Sequence, residues 1–302
     1  MYKLAHISDV HLGPLPAITW RELFSKRIIG YINWQRNRRK HMFANALDLV
    51  MAETGRWSPD HLAITGDMVN LATGIEIRMV ADWLRQAGDA QHLSVVPGNH
   101  DAYVPGAHDK AIHAWYPYVR GDDDPDAWEK DHKLFPYIRR RGPIAIIGCS
   151  TSIATPPFSA MGYFGSRQAR ETAQLLAQAG SEGLFRVVMI HHPPIRGAAP
   201  AYKRMVGLRR FRAAISVGGA ELVLHGHTHL NSRYTLPSKG REVPVIGIAS
   251  ASQGPGGEKP ATSVNLFEIE GGPGNWTLDW ERRRLDDEAD AFQTVHKERL
   301  RV

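Results

Sequence analysis

Short apolar runs alternate along this chain with longer stretches in which apolar residues recur every three or four positions. The runs at 4–7, 62–64, 93–96, 187–190 and 222–224 are apolar apart from His6 and Ser94 and show no regular polar alternation, as expected of strands covered on both faces. Ile144 to Cys149 has the same character. Amphipathic spacing predicts helices around 43–53, 75–87, 166–179 and 202–217. Strand and helix therefore alternate, which predicts an α/β fold. Past residue 230 the pattern changes. The segments 233–236, 243–249, 263–269 and 276–282 read as short strands between Gly/Pro turns, a run of antiparallel hairpins. Residues 103–136 read as surface loops with one or two short helices, and Asp122-Asp123-Asp124-Pro125 as a solvated turn. The charged segment 283–302 reads as a frayed helical tail. Without an internal repeat or a linker, 1–302 is expected to form one domain.

Composition narrows the picture. The 302 residues include one cysteine, Cys149, so neither an internal disulfide nor a thiolate metal cluster is available. Its place in an apolar run makes it a core residue. No stretch suits a membrane span and Met1-Tyr2-Lys3 leads straight into a strand, so the expected location is cytoplasmic. The net charge is +6 and the pI about 9.5. That excess is concentrated in Arg21, Lys26, Arg27, Arg36, Arg38, Arg39 and Lys40, opposed within 20–40 by Glu22 alone. Binding of nucleic acid over a broad face would call for a dispersed excess, so such a partner is not expected. The surrounding insertion, 14–41, opens with a capping box at Thr19-Trp20-Arg21-Glu22. Trp20, Leu23, Phe24, Ile28, Tyr31 and Ile32 follow at helical spacing. Such a stripe serves either as a lid packed on its own domain or as a contact to an anionic membrane surface.

Five short blocks carry the chemistry: Asp9-Val10-His11, Gly66-Asp67, Gly98-Asn99-His100-Asp101, His191-His192 and Gly226-His227-Thr228-His229. Each follows one of the apolar runs, so their side chains are expected to gather along one edge of a sheet. Asp9 and His11 lie two apart and can point the same way, as can His227 and His229. Asp67 can offer both carboxylate oxygens to two cations. Carboxylate, amide and imidazole together suit manganese, iron or zinc better than magnesium or calcium. Two such ions, roughly 3.5–4 Å apart, would clamp a phosphate. Arg196 and Arg204 follow His191 closely enough to be candidates for binding it. His41, His61, His92, His108, His113, His132 and His296 lack a motif and are read as surface or packing residues, and His225 as a packed strand residue.

In order and spacing the blocks resemble the calcineurin-like metallophosphoesterase superfamily, over residues 7–229. His191-His192-Pro193-Pro194 is similar to its bacterial branch of class III cyclic-nucleotide phosphodiesterases and glycerophosphodiesterases. The resemblance implies a four-layer αββα sandwich, here with a basic helical insertion after the first strand. It implies one metal on Asp9, His11, Asp67 and His229, and another on Asp67, Asn99, His191 and His227. His192 would then lie behind the ligands, within reach of the substrate. His100 would protonate the leaving group or steady the transition state, and Asp101 would orient it.

The expected activity is therefore phosphodiester or pyrophosphate hydrolysis, by in-line attack of a metal-bound hydroxide. The insertion points to a lipid substrate at the inner face of a membrane, cleaved in phospholipase C fashion. The resemblance by itself points to a soluble cyclic nucleotide or glycerophosphodiester. A nuclease would require a dispersed basic surface, and a metal-free scaffold would require missing ligand positions; neither condition is met.

Overall fold

The computed structural model describes residues 1–19, 25–34, 45–122, 134–288 and 291–302. Outside them lie Trp20 to Phe24 with the capping box, Arg36, Arg38, Arg39, Lys40, His41, His132 and Asp123 to Pro125. The strands of the first half are β1 (Tyr2–Ile7), β2 (His61–Ile64), β3 (Leu93–Val95), β4 (Tyr137–Arg141), β5 (Ile144–Gly148) and the short β6 (Gly162–Tyr163). Those of the second half are β7 (Phe185–Met189), the short β8 (Met205–Val206), β9 (Leu222–His225), β10 (Ser232–Ser238), β11 (Arg241–Gly247), β12 (Ser263–Gly272), β13 (Asn275–Leu285) and β14 (Phe292–Arg301). The helices are α1 (Arg27–Asn33), α2 (Ala46–Trp57), α3 (Gly74–Ala87), α4 (Ala107–Ala114), α5 (Ser166–Ser181) and α6 (Leu208–Gly218).

Two six-stranded sheets carry the fold, in the orders β14-β13-β12-β1-β2-β3 and β10-β11-β9-β7-β5-β4. β1, β2 and β3 run parallel in the first, and β5, β7, β9 and β11 in the second. Period-two alternation divides the side chains of the second sheet between two cores. Ile144, Ile146, Val187, Met189, Leu222 and Leu224 share a cluster with Leu4, Leu62 and Val95 of the first sheet. Their neighbours Ala145, Ile147, Val188, Ile190 and Val223 instead pack with Leu176 of α5 and with Phe211 and Ile215 of α6. The strands of this sheet are thus apolar on both faces, one against the other sheet and one against helices. This is why their sequences read as unbroken runs.

Two sequence expectations are corrected. The charged tail is no helix: Phe292–Arg301 is β14, paired antiparallel with β13 from Thr277↔Arg301 to Leu285↔Phe292. Only Phe292 and Leu300 at its two ends pack on the core, and between them its attachments include the His296 ring 4.1 Å from that of Trp280 and the Arg233 bond to Glu298. The helix expected from Tyr202 begins only at Leu208, because 201–203 form a 3-10 turn and β8 pairs with β6. The four strands expected past residue 230 form two antiparallel hairpins, one in each sheet. β10 and β11 pair in the second, whereas β12 and β13 extend the first beside β1.

Of the basic insertion, α1 packs on the domain. The Arg27 guanidinium donates to the Leu71 and Ala72 carbonyls, Gly30 lies against Tyr103 and Leu71, and Tyr31 packs against the core. Ile28 and Ile32, one turn apart, face outward. Of the described members of the apolar stripe, Tyr31 thus faces the core while Ile28 and Ile32 face outward.

Candidate metal centre

All five blocks meet where the two sheets adjoin, just beyond the C-terminal ends of β1, β2, β3, β7 and β9. Past the strands the chain remains paired. The Asp9 and His11 amides donate to the Gly66 and Asp67 carbonyls at 2.9 and 2.8 Å. A bridge between Ser8 and Ser250 joins the two sheets here, and the Ser250 hydroxyl donates to the Asp9 carbonyl at 2.6 Å. Asp9, His11, Asp67, His227 and His229 all have positive φ, between 40° and 71°. Non-glycine residues adopt this conformation only where their surroundings impose it, most often at functional sites. Gly226 answers a different demand, since a Cβ there would collide with Ser8 and with the Asp9 carboxylate.

Two groups of donor atoms result, Asp9, His11, Asp67 and His229 in one and Asp67, His191 and His227 in the other, all within 4.8 Å of one another in each. Asp67 belongs to both, the position expected of a bridge. Asn99 joins the second group, its Oδ1 lying 3.3 Å from His191 Nε2.

The hydrogen bonds fix how three imidazoles are presented. A carbonyl can only accept, so each ring nitrogen facing one carries the proton. His11 Nδ1 donates to Val69 O at 3.0 Å, His191 Nδ1 to Thr65 O at 2.7 Å and His227 Nε2 to Lys203 O at 2.9 Å. When neutral, each ring therefore turns a lone pair toward the carboxylates, the arrangement in which proteins hold metal-binding histidines. His191 Nε2 then faces His227 Nδ1 at 3.2 Å and Asp67 Oδ2 at 3.4 Å. Two lone pairs and a carboxylate at such distances need a positive charge among them. The donor set fits a pair of cations.

The buried charges respond accordingly. Burial opposes ionisation of Asp9 and Asp67, yet facing imidazoles, chiefly His229 for Asp9 and His191 for Asp67, hold both carboxyls well below the usual range. Burial also opposes protonation of His191, but the attraction of Asp67 overrides it and pushes the group up to about 9.

His100 lies at the edge of this cluster. Its backbone amide donates to Asp67 Oδ1 at 2.7 Å, its Nδ1 to the Asn70 carbonyl at 2.6 Å, and its ring stacks on Tyr103 at 5.4 Å. Asp101 does not orient it. The Asp101 carboxylate is buried and accepts from the amides of Met68, Val69 and Gly98 at 2.8–3.1 Å, pinning two ligand loops together. Burial, with the neighbouring Asp67 charge, pushes Asp101 up to about 7. The orienting part falls to the Asn70 carbonyl.

His192 is closed to substrate. It is fully buried, takes a hydrogen bond from Thr151 Oγ1 at 2.7 Å and donates from Nε2 to Ala160 O at 3.0 Å. Burial and the adjacent His191 lower it to about 3, so it stays neutral and packs at 4.2 Å against the His227 ring. Arg196 and Arg204 are both exposed beside the His191 block. His225 is buried, and burial lowers it to about 4. Cys149 is buried, and burial pushes its thiol up to about 12, which makes it inert.

Sequence reasoning missed the groups that hold the site in place, because most of them are backbone carbonyls. It also missed Glu76, whose buried carboxylate accepts from the amides of Asn70, Leu71 and Thr73. Thr73-Gly74-Ile75-Glu76 fits a capping box, and the box does form at the start of α3.

The profile of the calcineurin-like phosphoesterase family matches residues 2–231. No curated protein sequence matches the chain. Among solved structures, a dimetal phosphatase from Danio rerio superposes with a TM-score of 0.59 at 11% identity, over 98% of this chain and 99% of that one. The purple acid phosphatase PPD1 from yellow lupin, Lupinus luteus, gives 0.62 at 10% identity, over 99% of this chain and 53% of that one. At these identities the likeness concerns the fold, and it supports the metallophosphoesterase architecture.

Proposed function

The chain belongs to the calcineurin-like phosphoesterase family, a dinuclear-metal family of phosphoric-ester hydrolases, and we propose that it is a phosphodiesterase whose substrate is presented at a membrane surface. Asp9, His11, Asp67 and His229 would hold one ion, and Asp67, Asn99, His191 and His227 the other. Two bound ions supply positive charge for the phosphate oxygens and lower the pKa of a water molecule. The protein's own part is to fix the ligands through the Val69, Thr65 and Lys203 carbonyls and to place His100 beside them. With Nδ1–H held by Asn70 O, His100 in its imidazolium form can direct Nε2–H toward the leaving oxygen and give it that proton, ending as the neutral ring. Arg196 and Arg204 are available to a phosphate at the mouth.

The observation that carries the membrane reading is α1. It packs against Tyr103, which stacks on His100, yet keeps Ile28 and Ile32 48% and 44% exposed. Large apolar side chains beside an active site mark a ligand or interaction surface more often than isolated exposed ones do. A phosphodiester or pyrophosphate bond in a lipid, cut in phospholipase C fashion, fits this placement, as does a location at the inner face of the membrane. The His191-His192-Pro193-Pro194 block favours a second reading, a soluble cyclic nucleotide or glycerophosphodiester. A substrate panel with added Mn²⁺ decides between them. The proposal expects lipid phosphodiesters in vesicles or micelles to give the highest kcat/KM; a preference for cyclic nucleotides, with lipids untouched, refutes it.

A further inference from the structure

Tyr103 carries a second contact besides His100. Lys26 Nζ sits 4.8 Å over its ring and donates to Thr155 Oγ1 and the Ser159 carbonyl at 2.8 and 2.9 Å. The turn held in this way, Thr155-Pro156-Pro157-Phe158-Ser159, is closed by bonds from the Thr155 hydroxyl and the Ser159 amide, to Ser159 O and Pro156 O. At its tip Phe158 is 79% exposed, the highest of the exposed Phe, Tyr and Trp side chains among the described residues, with φ at 63°. A rigid turn thus presents an aromatic ring to solvent in a conformation such a residue seldom adopts.

The turn is tied directly to the metal centre. Ala160 accepts from His192, which packs on His227, and the Ala160 amide donates to Tyr202 O. Tyr202, 53% exposed, precedes Lys203, whose carbonyl fixes His227. Phe158, Tyr202, Ile28 and Ile32 therefore project from segments that are bonded to one another around the mouth of the site.

Charge completes the pattern. No acidic residue occurs in 23–47, 132–170 or 183–220, the three segments that supply this rim. The same segments carry Lys26, Lys203 and Arg204 within two residues of Ile28 or Tyr202, and Arg196 in the loop that leads to Tyr202. Exposed aromatic and aliphatic groups among cations, with carboxylates excluded, complement an anionic bilayer: rings enter the headgroup boundary while Lys and Arg meet lipid phosphates.

We propose that the Phe158 turn, with Tyr202, Ile28 and Ile32, is the face on which the protein docks on anionic membranes, Phe158 being the inserting residue. This rests on the membrane reading above and names the surface that serves it. A docked molecule would turn the mouth of the metal centre toward the lipid phosphates.

The test places an environment-sensitive fluorophore on Phe158→Cys. Cys149 is buried and would not compete for the label. Val217, exposed on α6, supplies the control site as Val217→Cys. With phosphatidylcholine vesicles containing about 30 mol% phosphatidylglycerol, the dye at 158 should shift to the blue and be quenched by a lipid-borne quencher, and the dye at 217 should not. Phe158→Ser, a change at an exposed turn, should keep its circular dichroism spectrum and lose roughly tenfold or more in vesicle partitioning. Vesicle binding that leaves the dye at 158 unchanged overturns this face while the membrane reading survives. If the unmodified protein ignores anionic vesicles, the docking proposal fails, and hydrolysis of a short-chain lipid phosphodiester below its micellar concentration then tests the substrate reading separately. A dimer that Phe158→Ser converts to monomer would assign the face to a second copy and overturn the proposal as well.

Discussion

Replacing Glu76 by alanine should damage stability and catalysis together, although Glu76 touches neither metal ligand nor substrate. Its side chain is 2% exposed, and its oxygens accept from the amides of Asn70, Leu71 and Thr73 and from the Thr73 hydroxyl, at 2.9–3.3 Å. Removing the carboxylate leaves three buried N–H groups without that acceptor, at about 1–3 kcal/mol each. Water entering the space restores part of this, so the net loss should be about 3–5 kcal/mol, a large fraction of a domain's stability. The loop so loosened supplies the Asn70 carbonyl that fixes His100. Urea denaturation should therefore show a lowered midpoint. Steady-state kinetics, well below the melting temperature, should show a fall in kcat with metal content unchanged. Glu76→Gln, which keeps one acceptor oxygen, should recover part of both. A loss below about 1 kcal/mol would refute the reasoning, because unsatisfied buried amides cannot cost so little. A stability loss with full kcat would separate the loop from His100.

Four further outcomes are expected. Asp67→Ala should lose both ions by elemental analysis, whereas His229→Ala should spare one, and retention of two ions without Asp67 would remove its bridging role. His100→Ala should keep its metals and lose about 10²–10⁴-fold in rate, less with a p-nitrophenyl ester that scarcely needs a proton; an equal loss with poor and good leaving groups would exclude proton donation. Asp101→Asn should lower the melting temperature and leave the leaving-group dependence intact, since its contacts are backbone amides of two loops; a selective loss with poor leaving groups would restore it to proton transfer. Buried His61, bonded to Ser94 Oγ, is held well below the usual imidazole range by burial and by Arg139 and Arg141. The unfolded chain then binds the extra proton, so the stability contributed by neutral His61 is complete above about pH 6.5 and falls by about 1.4 kcal/mol per unit below it. His61→Gln should remove that part of the slope of unfolding free energy against pH, and an unchanged slope would show that His61 does not titrate as described.

The ligand blocks were legible because each sits just past a strand that is apolar but for Lys3 and His6 in β1, His61 in β2, Ser94 in β3, Arg186 in β7 and His225 in β9. The same both-sided burial that makes Val187 to Ile190 readable also fixes His191 at the sheet edge. β14 was hidden for the opposite reason. As the edge strand beside β13 it lays only Phe292 and Leu300 partly on the core, and the rest of its attachment is main-chain pairing with Arg233–Glu298 and Arg299–Asp279 contacts from elsewhere in the chain. A local charge pattern cannot reveal partners lying many residues away.

Asp101 shows where motif reading stops. Beside His100 in sequence, it invites the role of a carboxylate that steadies an imidazole. In the fold the adjacent side chains part, His100 toward the Asn70 carbonyl and Asp101 back to the Met68, Val69 and Gly98 amides. What holds His11, His191, His227 and His100 in place is in every case a main-chain oxygen, from Val69, Thr65, Lys203 and Asn70. Any residue supplies a carbonyl, so such a partner leaves no mark in sequence. Its position is set by whatever shapes the loop, which for Val69 and Asn70 is the Asp101 and Glu76 carboxylates, together gathering six backbone amides between Met68 and Gly98. The chemistry of the centre is thus written in its side chains, and its geometry in two buried acids that never touch the reaction.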